Sequence, residues 1–168
     1  KKIKPSFFEV NTAMAFRYFA DRNVEAAVIE CGLGGRLDST NIIKPEVSVI
    51  TPIGMDHMQF LGNSLKKIAL EKIGIYKPGV KVIVSDSSKE LKPLFFRSMK
   101  KSDIVYLNDV FKISSLQVNK GGLKFILRDE HERIQLTSPL PGSYQPTNAA
   151  AAYLAVKEFW RKCEMSFD

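Results

Sequence analysis

Residues 47–85 decide the fold class, and they read VSVITPIGMDHMQFLGNSLKKIALEKIGIYKPGVKVIVS. The short apolar runs at 47–51 and 80–85 predict two buried strands. Between them, residues 65–76 have the pattern of a helix, with Ser64 as a suitable N-cap. A strand, a helix and a second apolar strand in succession predict a parallel pair with a crossover.

The same alternation continues on both sides of this stretch. Residues 7–20 predict a mostly buried helix, and residues 25–31 predict a short buried strand that leads into a glycine-rich turn. Downstream, a helix is predicted at 89–101 and a fourth strand at 104–107. We therefore predict an α/β fold with a mostly parallel, doubly wound sheet.

The pattern changes after residue 109, where apolar and polar residues alternate in three short runs. Such alternation, broken by Gly-rich and acidic turns, predicts a small antiparallel meander. A helix with Thr147 as N-cap is then predicted at 148–160. The expected organisation is a single domain over residues 1–168, with an α/β part at 1–109, an antiparallel part at 110–138 and a closing helix at 144–160.

Composition narrows the class of protein. The 168 residues are 45% hydrophobic and 26% charged, as in a globular domain, and the net charge is +7. The basic residues are spread along the chain, which suits anionic small molecules at least as well as nucleic acid. Cys31 and Cys163 lie far apart, so we expect neither a disulfide framework nor a zinc site, and a cytoplasmic location. No apolar run is long enough to predict a membrane span.

Several polar residues directly follow predicted strands, at the edge where α/β sheets bind ligands. Glu30 ends an apolar run, and a carboxylate there must be paired with a residue such as Arg or bound to a metal. His57, beside Asp56, is either a hydrogen-bonded structural residue or part of a metal site shared with Glu30. Asp38 follows the glycine turn at the same predicted edge.

The glycine turn itself allows more than one interpretation. Gly32-Leu33-Gly34-Gly35 begins like a dinucleotide fingerprint, but Leu37 stands where the third glycine of that motif belongs. A tight turn whose glycines supply positive φ is favoured over a loop that lets substrate approach the backbone.

Five segments together resemble a known family. They are PSFFEVNTAMAF at 5–16, VIECGLGGRLDSTN at 28–41, IGMDHMQFLG at 53–62, IALEKIGIYKPG at 68–79 and LPGSYQPTN at 140–148. In this order they resemble T-F-F-E-x-x-T-x-x-A-F, E-x-G-L-G-G-R-L-D-A-T-N, I-G-x-D-H-x-x-x-L-G, I-A-x-E-K-A-G-I-x-K-P-G and L-x-G-x-H-Q-x-x-N of folylpolyglutamate and dihydrofolate synthases, which are Mur-type ligases. Cys31, Ile73 and Tyr144 depart from these patterns.

The resemblance implies a metal site and a catalytic role for two of its residues. Glu30, His57 and Lys72 match metal-holding positions, with Lys72 as the lysine that becomes a carbamate in this family, and His57 and Lys72 are the expected catalytic residues. On residue physics alone, Lys72 could equally be a surface lysine that extends its charge into water.

The resemblance also implies two binding regions. Phe8, Asp38 and Arg36 match substrate positions, where Phe8 and Asp38 would line a pteridine pocket. Gln145 and Asn148 match positions near the adenine of ATP. The alternative for Phe8 is ordinary core packing.

The implied function is ATP-dependent addition of glutamate to a folate or dihydropteroate carboxylate through an acyl phosphate, with Mg²⁺. We expect small-molecule substrates (ATP, glutamate and the folate or dihydropteroate), no nucleic-acid or membrane partner, and a monomer. The family's P-loop, G-T-N-G-K-G-S, would precede Lys1 and its C-terminal domain would follow Trp160. The 168 residues by themselves are therefore expected to be a truncated ATPase domain and inactive.

Two other functions remain open on the sequence. A Mur-type ligase acting on peptidoglycan precursors would share the metal and carbamate chemistry, although the run from Leu33 to Asp38 favours the folate branch. A non-catalytic basic domain would bind DNA in a salt-sensitive manner, but it would leave Glu30, His57 and Lys72 unexplained.

Overall fold

The fold is described from a computed structural model, which covers residues 3–119 and 122–163. Its helices are α1 Phe7–Asp21, α2 Met58–Leu61, α3 Leu65–Ile73, α4 Lys92–Ser98, α5 Leu107–Val110 and α6 Gln145–Lys162, with 3-10 helices at Ser39–Ile42 and Lys101–Asp103. Its strands are β1 Val47–Ile50, β2 Lys81–Val84, β3 Ile104–Tyr106, β4 Lys112–Asn119, β5 Gly122–Arg128 and β6 Arg133–Ser138.

The first three strands form a parallel sheet in the order β1-β2-β3. Helices α3 and α4 cover one face, where Ile73 and Phe95 pack against Val82 and Val84. Helix α6 covers the other face, where Ile83 lies in a second apolar cluster. Since helices pack on both faces, the predicted doubly wound α/β architecture is confirmed.

The last three strands form an antiparallel sheet in the order β4-β5-β6, with an irregularity in register between Ser114 and Gln117. Phe125 and Leu127 on β5 are buried in the same cluster as Leu154 of α6. The predicted meander and closing helix are confirmed, and α6 joins the two sheets into one packed body.

Helix α3 shows how local sequence sets an element that carries a site residue. The Ser64 hydroxyl accepts a hydrogen bond from the Lys67 backbone N–H at 3.3 Å, as predicted for an N-cap. The helix ends at Ile73, three residues before the predicted end, and Gly74 caps it. A side chain at Gly74 would collide with Arg36, so this position requires glycine.

Two predictions for the first part of the chain are wrong. Residues 25–31 form no strand, and Val28 is fully exposed. A strand needs a neighbour for its backbone N–H and C=O groups, and none of the described residues provides one here. Helix α1 forms as predicted but is largely exposed, with Phe7 at 85% exposure and Thr12 as its buried residue.

Two boundaries also differ from the predictions. Helix α6 begins at Gln145, so Thr147 lies in its first turn and is not the N-cap. Pro146 explains the earlier start, because proline is favoured in the first helical turn, where its missing N–H costs nothing. Helix α4 is shorter than predicted and also carries a proline, Pro93, at its start.

Candidate functional site

An open cleft of about 460 Å³ lies between the start of α1, the glycine loop and α2. Its lining includes apolar side chains and carboxylates, among them Phe8, Glu9, Leu33, Asp38, Phe60 and Glu71. The start of α1 is fixed by a capping box in which the Ser6 hydroxyl accepts from Glu9 N–H and Glu9 accepts from Ser6 N–H. This arrangement places Phe8, one residue into the helix, at the mouth of the cleft.

Asp38 organises the glycine loop from inside the same cleft. One carboxylate oxygen accepts the Leu33 N–H at 2.9 Å, and the other accepts the Thr40 N–H at 2.9 Å and the Thr40 hydroxyl at 2.6 Å. Burial alone would raise the pKa of Asp38, but the hydrogen bonds from Thr40, Leu33 and Gly32 outweigh it and lower the pKa below its usual 3.8. Asp38 is therefore an ionised acceptor facing the cleft.

The glycines of the loop bear on the two interpretations that the sequence left open. Gly34 has φ of +68°, which a residue with a side chain rarely adopts. Gly32 lies against the Phe8 ring, since a Cβ there would come within 2.6 Å of a ring carbon. The favoured turn is confirmed at Gly34, whereas approach of a substrate to the loop backbone stays a prediction.

Arg36 ties the loop to helix α3. Its guanidinium forms a bidentate ion pair with Glu71, with N–O distances of 3.0–3.2 Å, and its backbone N–H donates to the Glu71 carbonyl at 2.8 Å. The Asn41 amide donates to the carbonyls of Arg36 and Gly74. The predicted substrate residue Arg36 is thus engaged by a carboxylate that itself lines the cleft.

Lys72 is half-buried near the end of α3, beside this loop. A side chain added at Gly35 would come within 3.1 Å of the Lys72 carbonyl, so the two backbones are in close contact. The Lys72 amine makes no ion pair or hydrogen bond with any residue that the structure describes. The structure leaves both interpretations of this lysine open, as a surface residue and as a modified ligand.

His57 has an unusual backbone conformation, with φ of +48° and ψ of +37° immediately before α2. For a non-glycine residue this left-handed conformation is uncommon and is found at turns and functional sites. The imidazole is exposed, and its Nε2 lies 3.6 Å from a carboxylate oxygen of Asp56. The left-handed backbone of His57 and the nearby Asp56 carboxylate are the two features that constrain the imidazole.

Glu30 is exposed and forms no ion pair within residues 3–119 and 122–163, so the expected pairing with an arginine is not observed. No group of three or more His, Cys, Asp and Glu side chains lies close enough to hold a metal in that part of the chain. Gln145 is half-buried and Asn148 is exposed in the first turn of α6, and neither lines the cleft. The structure thus unites Phe8 with Asp38 at one cleft and places Gln145 and Asn148 together in the first turn of α6, away from it.

Two residues with clear structural roles at this edge were not singled out from the sequence. Glu71 lies beside Lys72 and holds Arg36, a contact between positions 35 residues apart that no local pattern specifies. Asp86 is the second residue after β2 and accepts the backbone N–H of Ile53. The rule that selected Glu30 and Asp38, a carboxylate just after a strand, would also have found Asp86.

None of the helices in the described ranges has the length and apolar character needed to cross a membrane.

Comparison with known proteins gives consistent results. The family model for the Mur ligase middle domain matches residues 6–156. The chain is 35% identical over 158 residues to the dihydrofolate synthase/folylpolyglutamate synthase of Bacillus subtilis, a match that covers 92% of this chain and 37% of the relative. It is 34% identical over 160 residues to the folylpolyglutamate synthase of Lacticaseibacillus casei, covering 94% of this chain and 37% of that protein.

The fold is also similar to solved structures. An FPGS–AMPPCP–folate complex superposes with a TM-score of 0.91 at 32% identity, covering 98% of this chain and 41% of the other. The chain spans about 37% of the length of the two relatives from Bacillus subtilis and Lacticaseibacillus casei.

Proposed function

The chain belongs to the Mur ligase middle-domain family, and on that premise we propose that it is the ATPase-domain part of a ligase that adds glutamate to a folate or to dihydropteroate. Two relatives whose matches cover nearly the whole chain carry the names of these enzymes. The names of the similar proteins cover both folylpolyglutamate and dihydrofolate synthases, so the proposal includes either activity or both.

The observation that carries the proposal is the pairing of Phe8 and Asp38 in one cleft. An aromatic face beside an ionised carboxylate suits a flat heteroaromatic ring with N–H donors, such as a pterin. A similar solved structure holds folate together with AMPPCP, an analogue of ATP. Because Glu9, Asp38 and Glu71 surround the cleft, the ring would enter it and the anionic glutamate tail would extend into solvent.

The proposed reaction has two steps. A carboxylate oxygen of the acceptor first takes the γ-phosphoryl group of ATP, which releases ADP and forms an acyl phosphate. The neutral amine of glutamate then attacks the acyl carbon, phosphate leaves with the bonding electrons, and the nitrogen loses a proton to give the amide. Both steps bring anions together, so the site must supply positive charge or hydrogen-bond donors.

We assign the metal-binding role to Glu30, His57 and Lys72. Mg²⁺ prefers oxygen ligands, which fits the Glu30 carboxylate and a carbamate formed by CO₂ on the Lys72 amine. The imidazole of His57 is a less usual ligand for Mg²⁺, and its role rests on the family resemblance. When bound, Mg²⁺ would neutralise phosphate charge.

The donor set is compatible with the geometry already described. Only two of the three proposed ligands, Glu30 and His57, are His or Glu side chains. The absence of a cluster of three His, Cys, Asp or Glu side chains in the described residues is therefore compatible with this set. Glu30 and His57 are exposed and the Lys72 amine has no competing partner in the described chain, so all three remain available as ligands. Arg36 is held by Glu71 and would act on substrate from the rim of the cleft.

Gln145 and Asn148 are proposed to contact the adenine from the first turn of α6. The sequence of 168 residues contains no G-T-N-G-K-G-S segment to cradle the β- and γ-phosphates. We therefore propose that the 168 residues alone have no ligase activity, and that a cytoplasmic, monomeric enzyme of the relatives' length performs the reaction.

Substrate-dependent ATP turnover by the complete enzyme tests this function. We expect ADP release that requires both glutamate and either dihydropteroate or tetrahydrofolate, and the preferred acceptor distinguishes the two activities. The 168-residue chain serves as the inactive control. ADP release that responds to a peptidoglycan precursor and to neither acceptor would place the enzyme in the other branch of the family.

A further inference from the structure

Asp86 is a buried carboxylate at the carboxyl edge of the parallel sheet. It is the second residue after β2 and is only 5% exposed. One of its oxygens accepts the Ser88 N–H at 2.9 Å, and the other accepts the Ile53 N–H at 2.8 Å. The first bond is local, whereas the second joins the end of β2 to the loop that follows β1.

Between β1 and α2, that loop is anchored at Ile53. Of residues 51–60, Ile53 alone is not exposed, and its side chain packs against the apolar cluster beneath α3 and α4. Thr51 is the first residue after β1, and Pro52 has no N–H to donate. After Thr51, the Ile53 N–H is therefore the next backbone donor that the end of a neighbouring strand can hold. Ser85 holds the end of β1 itself, because its N–H and hydroxyl both donate to the Ile50 carbonyl.

His57 follows this attachment by four residues. From Ile53 onward the chain turns through Gly54, where Asp56 N–H donates to the Gly54 carbonyl, and then reaches His57 in its left-handed conformation. At its far end the loop is held by α2, where the Phe60 and Leu61 N–H groups donate to the His57 carbonyl. At its near end the hydrogen bond from Ile53 to Asp86 sets where the turn begins. The position of the imidazole therefore depends on both ends of the loop.

We propose that Asp86 is a positioning residue that holds the loop carrying His57 in place for the ligase reaction. The kinetic part of this inference rests on the proposed function, whereas its structural part does not. Asp86 need not touch substrate, because it acts through the Ile53 N–H. Asparagine cannot replace it, since an amide has one acceptor oxygen and two N–H groups require acceptance.

Asp103 provides a matched control at the opposite edge of the sheet. It is also buried, at 7% exposure, and one of its oxygens accepts the Gly79 N–H at 2.9 Å and the Tyr76 hydroxyl at 2.8 Å. It immediately precedes β3, so it lies at the amino edge. Asp103→Asn thus makes the same loss of charge at a buried carboxylate, keeps one acceptor oxygen for these two bonds, and leaves the loop of His57 unaffected.

Hydrogen exchange on the folded chain tests the structural part. The Ile53 N–H loses its acceptor in Asp86→Asn, so its exchange is expected to become about tenfold faster. Asp103→Asn should leave exchange of the Ile53 amide unchanged. Equal exchange of this amide in Asp86→Asn and the wild type would overturn the proposal.

Turnover by the complete enzyme tests the kinetic part. We expect Asp86→Asn to lower kcat about tenfold with little change in KM, and Asp103→Asn to preserve kcat. Because Asp86 acts through His57, adding Asp86→Asn to His57→Ala should cost nothing further. Additive losses, or equal kcat in the two asparagine variants, would overturn the positioning role. If the wild type shows no glutamate addition, the proposed function fails, and exchange alone then decides whether Asp86 holds the loop.

If Asp86→Asn does not fold, hydrogen exchange in the wild-type chain still tests the proposal. In the unmodified chain the Ile53 amide should exchange more slowly than the exposed amides of Gly54 and Met55. An Ile53 amide as fast as those two would contradict the proposal.

Discussion

Residues 3–46 and residues 47–163 contain similar apolar segments but use them in opposite ways. Both apolar clusters of the molecule are built from residues at or beyond Val47. In residues 3–46, helix α1 exposes an apolar stripe of Phe7, Val10, Met14 and Tyr18, and Val28 is fully exposed. The buried residues there are small or polar, such as Thr12 and Thr40.

The comparison separates stability from proposed chemistry. Burial of apolar surface is the main stabilising contribution in folding, so the later region supplies most of it. The earlier region supplies Phe8, Glu30, Arg36 and Asp38. Hydrogen bonds hold Asp38 within the glycine loop and Arg36 on α3, and the Phe8 ring lies against Gly32. The two regions meet where the glycine loop contacts the end of α3, beside Lys72.

Removing an aromatic ring from each region gives the largest expected contrast. Phe95 is fully buried between the sheet and α4, whereas Phe7 is 85% exposed on α1. Phe95→Ala should lower the free energy of unfolding by about 3–5 kcal/mol, and Phe7→Ala by less than about 0.5 kcal/mol. Denaturant titration of the 168-residue chain measures both, and similar losses would remove the distinction between the regions.

Changing the proposed metal residues should affect turnover and leave stability intact. Glu30 and His57 are exposed, so Glu30→Ala and His57→Ala should each shift the free energy of unfolding by less than about 0.5 kcal/mol. Loss of a charge-stabilising contact lowers kcat about a hundredfold, which assays of the complete enzyme would detect. Near-normal turnover of either variant at saturating Mg²⁺ would remove that residue from the metal site.

The acid response of Asp38 is the smallest expected effect. Its pKa is lower in the folded chain than the usual 3.8, so ionised Asp38 stabilises the fold above that value. This contribution is lost as the pH falls through the lowered folded pKa. The stability gap between wild type and Asp38→Asn should therefore narrow from pH 6 to pH 3, as denaturant titration at the two pH values would show. A gap independent of pH would mean that the hydrogen bonds from Leu33 and Thr40 do not depend on the charge.

The sequence predicted the later region better than the earlier one, for a physical reason. In residues 47–138 each predicted strand has a neighbour within the chain, so periodicity and burial agree, and Ser64 caps α3 as expected. In residues 3–46 the periodicity of α1 was sufficient to predict a helix but not its burial, which depends on what packs against it. The strand predicted at 25–31 was wrong for the same reason, because a strand depends on a neighbour to pair with.

The candidate site shows the same division. Phe8 and Asp38 converge as the family resemblance implied, because the capping box and the glycine loop are local structures that short motifs specify. The ion pair of Arg36 with Glu71 and the bond of Asp86 with Ile53 join distant positions. Such contacts depend on the packing of the strands and helices, and no single motif reveals them.

Replacement of Lys72 tests the central claim, that this chain holds a metal for a Mur-type ligase reaction, most directly. Arginine keeps a positive charge but cannot take up CO₂, so Lys72→Arg in the complete enzyme should abolish ATP-dependent glutamate addition. Lys66→Arg, an exposed lysine on the same helix at 63% side-chain exposure, should retain full turnover. A short carboxylic acid should partly restore turnover to Lys72→Ala by providing the missing oxygen ligand. Full activity of Lys72→Arg would contradict the carbamate and the metal site built on it.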